Sequence, residues 1–315
     1  MGTRSKPRSG SLQYYPRKRI SKFLPRVNWQ AVKGDGILGF VGYKVGMVTC
    51  FVKDNTADSR SKGQRIMMPA TVIETPTIKI LSVRFYKQGK VMNEVLNDNL
   101  EKELKKKLKL PKEIKKPNID EIKDYDDVRI IVYSQPKKTN IKKTPDIIEL
   151  AIGGSLDKKI ELIKSHLGKE ISISEVLKAS QLVDVRGLTK GKGLQGPVKR
   201  FGITFKSHKS EKGVRRPGSL GPWHPHHVNF RAPMAGQLGM FTRTLFNNKI
   251  IDVAKIHEKN INPKCGFDKY GVIKGDYVII RGSVQGPEKR QLLLTLSLRP
   301  SKKQIKKNFE FIRIA

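Results

Sequence analysis

Between Arg186 and Lys249 the chain carries thirteen Lys and Arg residues against a single acid, Glu211. They are Arg186, Lys190, Lys192, Lys199, Arg200, Lys206, Lys209, Lys212, Arg215, Arg216, Arg231, Arg243 and Lys249, interleaved with glycine, proline, Trp223, Phe230 and Phe241. Like charges at this density repel one another, and few apolar residues are present to be buried. The stretch therefore cannot build a core of its own and needs a polyanion to neutralise it. Glycines that allow close backbone approach, and flat rings among the charges, point to nucleic acid and to RNA in particular.

The whole chain has the same bias, with a formal net charge of +36 over 315 residues. Such a field serves to neutralise phosphates and release their counterions, not to capture a small neutral substrate. Hydrophobic residues make up 37%, enough for a core that leaves much of the chain outside it. Length suggests one or two domains with extensions. Cys50 and Cys265 make neither a disulfide framework nor a zinc module and suit a reducing cytoplasm. No apolar run approaches the ~20 residues of a membrane span. The N-terminus lacks the apolar region of a secretory signal, and no basic amphipathic helix argues for a membrane surface.

Residues 1–35 read as a basic N-terminal extension that orders on its partner. Arg4, Lys6, Arg8, Arg17, Lys18, Arg19, Lys22, Arg26 and Lys33 precede the first acid, Asp35, and Pro7, Pro16 and Pro25 prevent long helices. Tyr14, Tyr15, Phe23 and Trp29 distinguish it from a solubilising tail. From residue 36 short β-rich runs begin, at 37–43 and 47–52 on either side of Gly46, then at 70–74 and 78–86. Residues 53–67 read as a polar, mobile loop. Residues 98–180 hold more than half of the acids and read as an α+β insertion, with helices predicted over 100–108 and 156–167 and strands over 128–133 and 147–152. Strands are expected again at 182–188, 277–284, 292–298 and 311–314. The predicted fold is mainly β: a closed barrel made from 36–97, 181–203 and 235–315, interrupted by the insertion and by a basic finger over 204–234.

Gly191, Gly193 and Gly196 spell a GxGxxG, but Pro197 and the charges behind it give no apolar helix to aim at a pyrophosphate. The same proline argues against the GxxG loop of a KH domain. The glycines are better read as letting backbone amides, Lys190, Lys192 and Arg200 approach phosphates. His224, His226 and His227 follow Trp223 with no carboxylate or cysteine near to complete a metal shell. No nucleophile stands beside a base. Trp223 is read as a stacking residue over a buried loop anchor, and Met234, Met240 and Phe241 as packing.

Leu177, Asp184, Gly187, Thr189, Gly191, Lys192, Gly193, Gly196 and Arg200 match, at every spacing, the pattern of the universal large-subunit ribosomal protein L three family. Arg8 with Gly10–Leu12, Pro16–Arg19, Gly42–Met47, Gly221–Pro225, Ala235–Gln237, Gly239, Arg243, Thr244 and Lys249 resemble its archaeal and eukaryotic form. Met240 and Phe241 stand where relatives often carry Tyr and His. The resemblance implies a closed β-barrel with an α+β insertion and an N-terminal extension, bound to large-subunit rRNA near its 3′ end early in assembly. It further implies a finger reaching toward the peptidyl transferase centre, with Trp223 at its tip among Gly221, Pro222, His224 and Pro225.

The expectation is a structural RNA-binding protein of the cytoplasmic ribosome. Its partners are rRNA and neighbouring large-subunit proteins, and it has no enzymatic activity, cofactor, metal, membrane or small-molecule substrate. The expected RNA contacts are Arg8, Arg17, Lys18, Arg19, Lys44, Arg186, Lys190, Lys192, Lys199, Arg200, Lys206, His208, Lys209, Arg215, Arg216, Trp223, His224, His226, Arg231, Gln237, Arg243 and Lys249. Two rivals remain at this stage, an architectural DNA binder and an RNA-modifying enzyme on a β-barrel.

Overall fold

The computed structural model describes residues 10–11, 13–111, 119, 122 and 124–315. Arg8, with Arg4, Lys6 and Leu12, lies outside the described residues. The chain divides into two compact units, one of Leu24–Gly187 with Thr244–Ala315 and one of Met1–Phe23 with Leu188–Arg243. The strands in chain order are β1 (Gly36–Ile37), β2 (Gly39–Asp54), β3 (Arg65–Glu74), β4 (Ile78–Lys87), β5 (Lys90–Leu96), β6 (Asp127–Ser134) and β7 (Ile147–Gly153). They continue with β8 (Leu182–Leu188), β9 (Leu194–Gln195), β10 (Gly236–Gln237), β11 (Thr242–Lys255), β12 (Asp276–Arg281), β13 (Gln291–Leu296) and β14 (Phe309–Ile314). Helices are few and short: α1 (Leu156–His166), α2 (Ile173–Val176), α3 (Pro197–Phe201) and α4 (Lys302–Ile305). Among the described residues no helix is long and apolar enough to cross a membrane.

In the larger unit one sheet runs β13-β8-β11-β12-β3-β2-β14, and β13 also pairs with β2. Hydrogen bonding thus returns on itself around β13, β8, β11, β12, β3 and β2. The long β2 makes this possible, because its first part pairs with β13 and its last part with β14, while β3 runs along its other side. The two strands expected on either side of Gly46 are one strand with a register shift between Lys44 and Gly46. A bulge bends a strand without ending it.

A second sheet has the order β1-β7-β6-β4-β5. The boundary drawn at 97/98 from the change in composition therefore cuts through it, since β4 pairs with β6 at Ser82↔Ile131 and Val83↔Ile130. Strand periodicity marks a strand but not its neighbour. A shared core joins the sheets, with Phe40 and Ile73 in the same buried cluster as Ile130, Leu150 and Ile163. In β12 both faces are buried: Val278 and Ile280 enter that cluster, Tyr277 and Ile279 another. Such strands read as unbroken apolar runs, and each such side chain contributes about 1.5–3 kcal/mol.

α1 keeps part of the face predicted from Leu156, Ile160, Ile163 and Leu167: Ile163 is buried with Ile160 and Leu167 packed beside it, while Leu156 is exposed, and its charges suit the helix dipole, Asp157 in the first turn and Lys164 in the last. The helix expected over 100–108 is only a 3-10 turn, Lys102–Lys106, anchored by Leu104. The loop expected over 53–67 shrinks to 55–64, because β2 and β3 both extend into it. Asp54 organises that loop, accepting from Thr56 N at 3.0 Å and from the hydroxyls of Ser59 and Ser61 at 2.6 and 2.7 Å. Burial opposes this charge, but the hydrogen bonds from Ser59, Thr56 and Ser61 prevail and hold its carboxyl below the usual range.

Candidate nucleic-acid interface

The smaller unit is built on two chain legs, 189–195 and 236–241, that lie side by side. β9 and β10 pair antiparallel at Gly236↔Gln195 and Gln237↔Leu194. The pairing continues below them: Leu238 N donates to Gly193 O (2.9 Å), Lys192 N to Leu238 O (3.0 Å) and Thr189 N to Phe241 O (3.0 Å). The legs come closest at Gly239, which has φ +79° and where a Cβ would stand 2.9 Å from the Lys190 carbonyl carbon and closer still to its oxygen. Only glycine fits there.

One turn of helix, α3, opens the excursion between the legs. Pro197 was read as leaving no apolar helix to aim at a pyrophosphate and as arguing against the GxxG loop of a KH domain. It stands in the first turn, where its missing N–H costs nothing. Gly202 closes the turn in the left-handed conformation, its N–H reaching Val198 O at 2.8 Å. Arg200 projects from α3 onto the returning leg, donating from Nε to Gln237 O (3.1 Å) and from Nη1 to Met234 O (3.0 Å).

The N-terminal segment belongs to the same unit. Ile20 N donates to Met240 O at 3.2 Å. The Arg17 guanidinium lies 4.3 Å from the Phe201 ring centre and donates to Ser11 O at 3.1 Å, and Arg243 lies 4.1 Å over Tyr14. Burial lowers the pKa of Arg200, and the charge of Arg17 lowers it further.

Beyond α3 the excursion has little regular structure and most of its side chains are exposed. Short bonds such as Lys206 N to Val214 O (3.0 Å) and His226 N to Trp223 O (2.8 Å) shape it. Arg215 lies 5.1 Å from the Phe205 ring centre and Arg231 5.6 Å from that of Phe230. Trp223 is 79% exposed, which removes the buried-anchor alternative, and meets His226 edge-on at 5.2 Å. His224 and His226 lie 4.5 Å apart, centre to centre. Among the described residues no group of three or more His, Cys, Asp or Glu side chains could hold a metal ion.

The expected contact residues thus fall into groups. Arg17, Lys190, Lys192, Arg200 and Arg243 line one cleft, Lys206 and Arg216 another, and Trp223 and His226 a third. Lys18, Arg19, Lys199, His208, Lys209, Arg215, His224 and Arg231 are exposed. Gln237 turns its amide nitrogen onto Leu238 O and Gly239 O and so supports the leg.

Lys44 and Lys249 do not belong to this surface. Both are buried in the larger unit, Lys44 Nζ donating to Val284 O (2.6 Å) and Gly286 O (3.1 Å) and Lys249 Nζ to Ile305 O (3.2 Å). An ammonium spent on carbonyls inside a fold is not presented to a phosphate. Arg186 is half-buried, with Nε donating to Thr295 Oγ1 at 3.3 Å. Phe201 and Phe205 were not singled out from sequence. Their signal was adjacency to arginine in the folded chain, with only Arg200 and Lys206 beside them in sequence.

The nine-position motif also divides. Leu177 is buried; Asp184 is buried too and accepts from Asn247 N and Leu298 N, both at 2.9 Å; a Cβ at Gly187 would meet Leu292 Cδ2 at 2.5 Å. These three serve the larger unit, while the positions from Thr189 to Arg200 build the smaller.

Residues 1–312 match the family model described as Ribosomal protein L3. The large ribosomal subunit protein uL3 of Archaeoglobus fulgidus is 41% identical over 311 residues, covering 94% of this chain and 93% of that protein. That of Methanocaldococcus jannaschii is 40% identical over 316 residues, covering 96% and 94%. That of Methanobrevibacter smithii is 41% identical over 313 residues, covering 94% and 93%.

Proposed function

Because the chain belongs to the ribosomal protein L3 family, we propose that it is a structural component of the large ribosomal subunit in the cytoplasm, bound to large-subunit rRNA near its 3′ end and contributing to assembly. Neighbouring large-subunit proteins complete its surroundings. It scaffolds; it does not catalyse. The closed strand ring is read as a barrel, and the excursion between the two legs as a finger reaching toward the peptidyl transferase centre.

The observation that carries this reading is the composition of the smaller unit. Cations there are fixed by backbone bonds and aromatic rings, and stacking-competent rings such as Trp223 and Phe230 stand exposed between them. Charged groups position a backbone by its phosphates, and flat rings accept unpaired bases without regard to sequence.

The test is binding of the intact chain, and of one lacking residues 204–232, to a folded 3′-terminal rRNA fragment across a salt series. The deletion should lower affinity and flatten the salt slope by about 0.7–0.9 per lost phosphate contact. No preference for that fragment over arbitrary RNA or duplex DNA refutes the reading and favours an architectural DNA binder.

A further inference from the structure

Among the described residues five cations, Arg17, Lys190, Lys192, Arg200 and Arg243, line a cleft of about 450 Å³ with backbone at Gly239, and no carboxylate stands among those lining it. Gathering like charges in a partly desolvated space costs free energy that an anion in the same space removes. Burial, then the charge of Arg17, lowers the pKa of Arg200, and for Arg243 burial and Arg17 act against the opposing influence of Tyr14.

Two of the guanidiniums are held in place before any ligand arrives. Arg200 is pinned by Gln237 O and Met234 O, and Arg17 by Ser11 O and the Phe201 ring. Planar forks in fixed positions suit phosphate oxygens, which accept two N–H groups at once. The volume lies within the roughly 300–1,000 Å³ of clefts that take small organic ligands, which suggests a sugar-phosphate unit more than a bare ion. The walls come from parts of the chain separated in sequence: Gly10, Ser11 and Arg17; Thr189, Lys190 and Lys192; Arg200; and Leu238, Gly239, Phe241 and Arg243.

We propose that this cleft is a preformed site for one phosphodiester unit of an RNA strand, and that filling it locks the N-terminal segment onto the root of the finger. The assignment rests on the reading above that the partner is RNA. The phosphate acts as a bridge: it neutralises Arg17 on the N-terminal segment together with Lys192 and Arg200 of the same cleft, so segment and legs become mutually stabilising when it is present.

The full chain is titrated calorimetrically with the dinucleoside monophosphate ApA, with inorganic phosphate and with the folded rRNA fragment, and amide exchange is followed over residues 13–20. ApA is expected to bind and to slow that exchange. Arg17→Gln and Lys192→Gln should each weaken ApA binding by about tenfold, the scale of one charged hydrogen bond, while Lys302→Gln on α4 leaves it unchanged. Lys192 is exposed, so its variant does not depend on repacking. Equal ApA affinity in wild type, Arg17→Gln and Lys192→Gln, or exchange unaffected by ApA, overturns the proposal, and the RNA reading stands if the rRNA fragment still binds. Inorganic phosphate matching ApA in affinity and protection overturns the sugar-phosphate assignment. ApA binding as expected, with no binding of the rRNA fragment, supports the cleft and refutes the ribosomal reading instead.

Discussion

Replacing Gly239 by alanine should part the two legs of the smaller unit. The residue has φ +79°, a conformation that costs an ordinary L-residue roughly 1–2 kcal/mol. The added methyl would also press on the backbone of the opposite leg, 2.9 Å from the Lys190 carbonyl carbon and 3.0 Å from Gly191 Cα. Backbone cannot rotate away as a side chain can, so the legs must part. Parting them strains or breaks the bonds Lys192 N to Leu238 O and Leu238 N to Gly193 O, each worth a net ~0.5–1.5 kcal/mol. The local cost is then about 2–5 kcal/mol. Native-state hydrogen exchange at the Lys192 and Leu238 amides should accelerate by roughly one and a half to three and a half powers of ten, at about 1.4 kcal/mol per tenfold. Gly218→Ala is the control, since a Cβ there meets nothing within 4 Å. Unchanged exchange at both amides in Gly239→Ala would show that the legs do not depend on this close approach, and the reasoning fails.

Trp223→Ala should leave the unfolding free energy within about ±0.5 kcal/mol, because the ring is exposed, yet alter tRNA accommodation in ribosomes carrying it; unchanged tRNA binding and drug response at the peptidyl transferase centre would count against a fingertip role. Glu74 is buried, which raises its carboxyl pKa against the opposing hydrogen bonds from Tyr270, Gly275 and Lys274. A raised folded pKa stabilises at pH below the ordinary carboxylate range, and that contribution is lost as pH rises through the folded value. Glu74→Gln should therefore gain stability relative to wild type between pH 5 and 7 in denaturant titrations; a gap that is constant or shrinks with pH contradicts this.

The charge of the smaller unit was legible because charge is a property of composition. Thirteen cations and one acid cannot all be hidden in one core however the segment folds. The alternating and continuous apolar runs likewise announced β8, β12 and β13, whose side chains are buried for the reason that made them readable. The burial of Lys44 and Lys249 was not legible, because a lysine on paper has no address. Whether its ammonium meets a phosphate or the Val284 carbonyl depends on which strands lie beside it.

From the sequence alone followed the β-rich class, the basic segments and the family, each carried by residue type and spacing along the chain. The tertiary structure alone decided that β4 and β5 join the second sheet, that Asp184 serves the larger unit, and that Arg17, Lys192 and Arg200 face one cleft. Those facts are distances between residues remote in sequence, set by strand register and by where the chain can approach itself, as it does at Gly239. Local preference carries no record of them.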